Sequence, residues 1–210
     1  MTRAFRTAAD RVVLATAAAL LLAGCAGTGR RSESGGTVPT DHPRAALLPF
    51  ENLSGREEQG RLFTQVFLVE LVKSGACEMT EPGHVDEMLD RLGIRGTGSL
   101  SSEQLRLLGD SLDVRYVFLG SVLEAGTVKT WDGETPSAGA ALRMVEPATG
   151  RVVWAGLKVR TGDDGETVFG WGREQSAQRL VSRLAREMLG PFVDAGAAWR
   201  RQGGKIGGTK

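Results

Sequence analysis

Nucleophilic catalysis needs a base within reach of an activated side chain. This chain has two histidines, His42 and His84, and no Gly-x-Ser-x-Gly turn, so serine or cysteine hydrolysis has little support. His84 stands near Asp86 and Glu87, but neighbouring helix positions do not share a face, and a solvated helix start is the plainer reading than a metal set. Asp163-Asp164-Gly165-Glu166 is the densest carboxylate cluster. It reads as a hard-cation site or, more simply, as an acidic turn, and it lacks the EF-hand spacing. The glycines around Trp171 and those from Gly93 to Gly98 precede no Lys-Ser/Thr and open no Gly-x-Gly-x-x-Gly helix, which argues against nucleotide binding. The expectation is a protein that is not an enzyme and holds no metal and no dissociable cofactor.

One cysteine does carry a chemistry. Arg3, Arg6 and Arg11 precede an apolar run from Val12 to Leu22, and small residues follow, the order of an export signal. That run is about half the roughly 20 residues a spanning helix requires. Leu22-Ala23-Gly24-Cys25 then matches a lipobox, whose cysteine thiol receives a diacylglyceryl group and becomes the acylated first residue. Residues 1–24 are expected to be a cleaved signal peptide, and Cys25 to bear covalent diacylglycerol and an N-acyl chain such as palmitate. Each buried methylene contributes about 0.8 kcal/mol, so two or three chains hold a protein to a bilayer without a spanning segment. Ala26 in place of aspartate points, by enterobacterial sorting rules, to the periplasmic face of the outer membrane.

Removing residues 1–24 takes three arginines and one aspartate from the 26 basic and 25 acidic residues, leaving 23 and 24. A mature chain of net charge about −1 lacks the broad basic surface that nucleic acid requires. With Cys25 acylated, Cys77 is the one remaining thiol, and its strand-like surroundings make it a small buried hydrophobe. Stability must therefore come from an apolar core.

Residues 25–43 are rich in Gly, Ser, Thr, Arg and Pro and read as a flexible lipidated tether. A folded domain over 44–195 and a disordered Gly- and Lys-rich tail over 196–210 complete the chain. Ala45 to Phe50 is a buried strand, with Pro49 removing one ladder donor. Leu62, Phe63, Val66, Phe67, Val69 and Leu71 mark a helix stopped at Gly75. Cys77 to Thr80 is a short strand, and Val85, Met88, Leu89 and Leu92 form the stripe of a second helix. Ser101 and Gln104 offer a capping box for a third.

Val114 to Leu123 is the most apolar strand-like run, followed by a polar loop from Gly126 to Ser137 and a strand from Ala140 to Glu146. Past the turn at 147–150, Arg151 to Arg160 alternates, and Val153, Ala155, Leu157 and Val159 are taken as its inward face. A last helix runs from about Glu174 to Leu189, ended by Gly190-Pro191. The order predicts one α/β domain, layered around a mixed central sheet with about four helices.

The binding candidates are few. Arg179, Arg183 and Arg186 recur on the outer face of the last helix, as a solvated surface or as a dock for an acidic partner or lipid headgroups. Trp131 in the polar loop reads as a partner contact, and Trp171 between glycines reads as core or interface.

Three stretches bear a resemblance. Leu47-Leu48-Pro49-Phe50-Glu51-Asn52-Leu53-Ser54-Gly55, the run from Leu112 to Val122, and Leu142 to Glu146 with Thr149-Gly150-Arg151-Val152-Val153-Trp154 resemble the pattern of curli-secretion (CsgG-like) lipoproteins. The penicillin-binding-protein activator (LpoB-like) lipoproteins and the amino-terminal domain of TolB are similar in layout. The resemblance implies a non-enzymatic envelope domain that binds another envelope protein, as an accessory in assembly or secretion, as an activator of a peptidoglycan synthase, or as a subunit of a homo-oligomeric secretion ring. The short 126–137 loop leaves no room for the membrane-spanning hairpins of curli channels.

Overall fold

The computed structural model describes residues 33–56, 58–130, 133–165 and 174–205. Its first element is a strand, β1 (Glu33–Gly36), paired antiparallel with a strand more than a hundred residues later, Glu33 opposite Leu157 and Gly36 opposite Trp154. This segment was expected to belong to the tether. Its ordering comes from backbone pairing rather than apolar side chains: Gly36 sits at φ +104°, where a Cβ would collide with the Val153 carbonyl.

β2 (Arg44–Leu47) and β3 (Glu51–Asn52) occupy the expected buried strand, split where Pro49 has no N–H to give. Pairing with β5 (Tyr116–Thr130) runs through Leu48, whose N–H donates to the Phe118 carbonyl, lapses at Pro49, and resumes with Glu51 opposite Ser121. Helix α1 (Gln59–Ser74) ends at Gly75, in the left-handed region at φ 65°. A short strand, β4 (Glu78–Met79), pairs parallel to β2. Helix α2 (Pro82–Arg91) starts on Pro82 with the Glu81 carboxylate accepting from the His84 N–H, and α3 (Ser102–Leu112) has the capping box read in the sequence, Ser101 and Gln104 each accepting from the other's backbone N–H.

β5, β6 (Gly133–Glu146) and β7 (Arg151–Thr161) form an antiparallel meander, so the sheet reads β1-β7-β6-β5-β2-β4 with β3 beside β5. The expected polar loop at 126–137 is instead the outer half of a long hairpin. β5 continues past a bulge at Val122/Glu124 as far as Thr130 opposite Gly133, with Lys129 facing Glu134 across the ladder. A 3₁₀ turn (Gly162–Gly165) follows β7 and braces the hairpin, Thr135 Oγ1 donating to Asp163 at 2.9 Å.

Helix α4 (Ala177–Met188) is the predicted last helix, but the chain does not end there. Pro191 opens a fifth helix, α5 (Gly190–Arg201), because proline lacks only an N–H that a first turn leaves unused. Residues expected in a disordered tail pack instead. Gly196 lies so close to the end of α1 that a Cβ would strike the Ser74 carbonyl, Arg200 donates to that same oxygen, and Trp199 stacks on His42 at 3.9 Å.

The result is a mixed α/β domain in three layers. One face of the sheet carries Phe118, Leu142, Met144 and Trp154 beneath α1, α4 and α5; the other carries Ala46, Leu48, Val117 and Val145 beneath α2 and α3. Among the described residues no helix is long and apolar enough to cross a membrane.

Candidate functional site

The two faces differ most at β7. Alternation puts Trp154, Gly156, Lys158 and Arg160 on one side and Ala155, Leu157 and Val159 on the other, while Val153 lies in the bulge before Trp154 and packs against its cluster. The sequence reading chose the second set as buried, and the structure buries the first: Trp154 is 2% exposed and Leu157 45%. Trp154 meets Phe192 of α5 edge-on at 4.8 Å, an arrangement that contributes roughly 0.5–1.5 kcal/mol beyond the area it buries.

Lys158 and Arg160 stay inside because one carboxylate answers both. Glu187 of α4 accepts from Lys158 Nζ at 2.7 Å, from Arg160 Nε at 2.8 Å and Nη2 at 2.7 Å, and from Arg183 Nε at 3.2 Å. Burial alone would raise the Glu187 pKa, but Lys158 and Arg160 hold it below the usual carboxylate value. Arg160 also reaches Asp164 at 3.7 Å.

The arginine stripe of α4 borders this cluster. Arg179, Arg183 and Arg186 line a groove of about 500 Å³ with Glu174, Ser182 and Glu187. Arg179 pairs with Glu174 at 3.3 Å, while Arg186 donates from Nε to the Ser182 carbonyl of its own helix and has no carboxylate partner among the described residues. The structure thus brings the three predicted arginines to one groove and sets Lys158 and Arg160, which the sequence reading missed, behind it on Glu187. Their signal was two cations at alternate positions in line with Trp154.

The opposite face offers a different surface. Helices α2 and α3 cover its β2 and β5 side as far as Val145 of β6, and beyond them Ser34, Gly35, Ser121, Ala141, Ala155 and Leu157 form a shallow concavity of about 580 Å³. Its side chains are small apart from Leu157, Leu119 and Arg143, whose Nη2 donates to the Gly98 carbonyl at 2.6 Å. Such a surface presents little chemistry and much shape.

The remaining candidates resolve into local structure. Asp164 accepts from the Thr161 N–H at 3.0 Å and hydroxyl at 2.8 Å, so its carboxylate closes the acidic turn. Glu166 lies outside the described residues. His84 stands half-exposed at the start of α2, 3.8 Å from Glu87. Cys77 is buried, and burial first, then the nearby Asp41 charge, push its thiol pKa up to about 12. Residues 1–24, Cys25, Trp131 and Trp171 lie outside the described residues.

No known protein family matches the sequence, and no curated protein does either. Solved structures do. A PelC dodecamer from Paraburkholderia phytofirmans aligns over 77% of this chain and 96% of its own at 18% identity, with TM-score 0.53. Lipoprotein GNA1162 from Neisseria meningitidis aligns over 72% of this chain and 98% of its own at 15% identity and TM-score 0.50. The likeness is one of fold. The LpoB C-terminal domain from Escherichia coli aligns over 58% of this chain and 84% of its own at 14% identity, with TM-score 0.44.

Proposed function

We propose that this chain is a lipid-anchored, non-enzymatic binding module of the bacterial envelope, held by acylated Cys25 at the periplasmic face of the outer membrane and docking another envelope protein. The observation that carries the reading is the uncovered half of the sheet, where Ala155 and the 45%-exposed Leu157 stand beside a concavity that no helix of the described chain fills. Its mechanism is local tethering: acyl chains confine the domain near the bilayer and raise its effective concentration for partners there. The fold shared with a lipoprotein, GNA1162, supports the envelope setting. A second reading, that the docked partner is another copy of the chain, is favoured by the dodecameric state of PelC. Within the first reading the partner is an assembly or secretion component; activation of a peptidoglycan synthase and membership of a secretion ring are its alternatives.

A photo-crosslinking amino acid at Leu157 in intact cells tests this. Capture of one envelope protein supports docking, and capture of the chain itself supports the oligomer. Absence of any adduct beyond that from a probe at Leu107, exposed on α3, would contradict both.

A further inference from the structure

The groove along α4 gathers positive charge in a molecule that has none to spare. Arg179, Arg183 and Arg186 line it with Glu174 and Glu187, an excess of one cation, while Lys158 and Arg160 reach the same Glu187 from β7 behind it and Asp164 stands against Arg160. The mature chain as a whole carries about one net negative charge. Arg179 is also strongly exposed, its side chain at 77%, and Arg186 has no carboxylate partner among the described residues. Guanidinium groups spaced along one helix face match phosphate oxygens in both charge and donor geometry.

The register of β1 shows where this groove stands relative to the start of the domain. Glu33 lies opposite Leu157, and Lys158 and Arg160 follow within three residues on β7, a distance of about 10 Å. Seven residues lie between Cys25 and Glu33, eight backbone steps with a reach of at most about 28 Å. The end of the sheet that receives the chain from the anchor is therefore the end that bears the arginines.

The geometry points to the α4 groove as a binding surface for the phosphate headgroups of anionic phospholipids, in the same bilayer that Cys25 anchors, so that the domain rests with this end against the membrane and turns its bare sheet face along it. This rests on the lipid anchor proposed above. Each cation near an anionic surface favours contact by a several-fold factor, and the exposed Arg179 and Arg186 act together with the half-buried Arg183.

The mature full-length chain with Cys25→Ala, which lacks acyl chains and binds on charge alone, is floated with phosphatidylcholine vesicles that contain phosphatidylglycerol or lack it. Flotation is expected only with phosphatidylglycerol, lost at high salt, and reduced at least about tenfold in R179Q/R183Q/R186Q. The control R91Q/R95Q/R106Q, which changes net charge equally on and beside α2 and α3, is expected to float like the parent. If the triple variant does not fold, Arg186→Gln alone is expected to lower flotation several-fold. Equal flotation on both vesicles, equal loss in both triple variants, or no flotation while a polyglutamate peptide binds would overturn the inference, the last in favour of an acidic protein partner. The anchor is read separately, by the intact mass of the wild-type chain: an unacylated mass overturns the anchor, whereas an acylated mass with failed flotation overturns the headgroup site alone.

Discussion

One face of the sheet is sealed and the other is half bare. Under α1, α4 and α5 the sheet places Trp154, Phe118, Leu142 and Met144 in a continuous apolar layer with Phe63, Phe67, Leu180 and Phe192. On the opposite face α2 and α3 cover a smaller cluster around Val117 and Val145 and leave Ala155 and Leu157 to solvent. The same strands therefore serve two ends. Their sealed side fixes the fold, and their bare side costs little to alter and is free for a partner.

Substitutions on the two sides of β7 sharpen that difference. Trp154→Ala is expected to destabilise the domain by about 3–5 kcal/mol in urea unfolding, since the cavity beside Phe192 has no side chain able to fill it. Glu187→Gln is expected to cost about 2 kcal/mol, because it leaves Lys158 and Arg160 partly buried with a neutral acceptor; the figure is below that for a fully buried pair because Glu187 keeps some solvent. The same carboxylate gives a pH signature. Its folded pKa is lowered, so its contribution is present above the ordinary value of 4.5 and is lost as pH falls through the folded value, a slope that should shrink in Glu187→Gln.

Cys77 titrates with the opposite sign. Its thiol is held neutral in the folded state, so stability should fall as pH rises from 9.0 towards about 12, and Cys77→Ala should flatten that fall. The smallest effect belongs to the bare side: Leu157→Asp is expected to change stability by less than about 0.5 kcal/mol while abolishing the crosslinks from a probe placed at the neighbouring Ala155. A large destabilisation there would erase the distinction between the two sides.

Much of this architecture was legible in the residues. The strand at Ala45, the stripes of α1 to α4, the Ser101 capping box and the mixed α/β class follow from periodicity and turn chemistry. Beyond helix α5, which Gly190-Pro191 hid by reading as a stop, three features did not, each for a physical reason. β1 is Glu-Ser-Gly-Gly, a strand held by ladder bonds with almost no apolar signal. The outer hairpin is built from Thr, Lys, Glu and Gly whose cross-strand partners lie near in space but were read as loop. On β7 apolar alternation pointed to the wrong face, because the buried side joins one tryptophan to two ion-paired cations while Ala155, Leu157 and Val159 form the other. Of the candidate site, the arginine stripe was legible. Its partners Lys158, Arg160 and Glu187 required the β7–α4 contact to be seen.

Hydroxyl-radical footprinting of the full-length protein, in intact cells and after purification, tests the central claim most directly. Leu157 should be protected in cells and become reactive once purified, while Leu53 and Leu107, exposed elsewhere on the domain, should react alike in both. If Leu157 reacts in cells as freely as Leu53 and Leu107, nothing docks on the bare half of the sheet, whereas protection that persists after purification would mark a second copy of the chain.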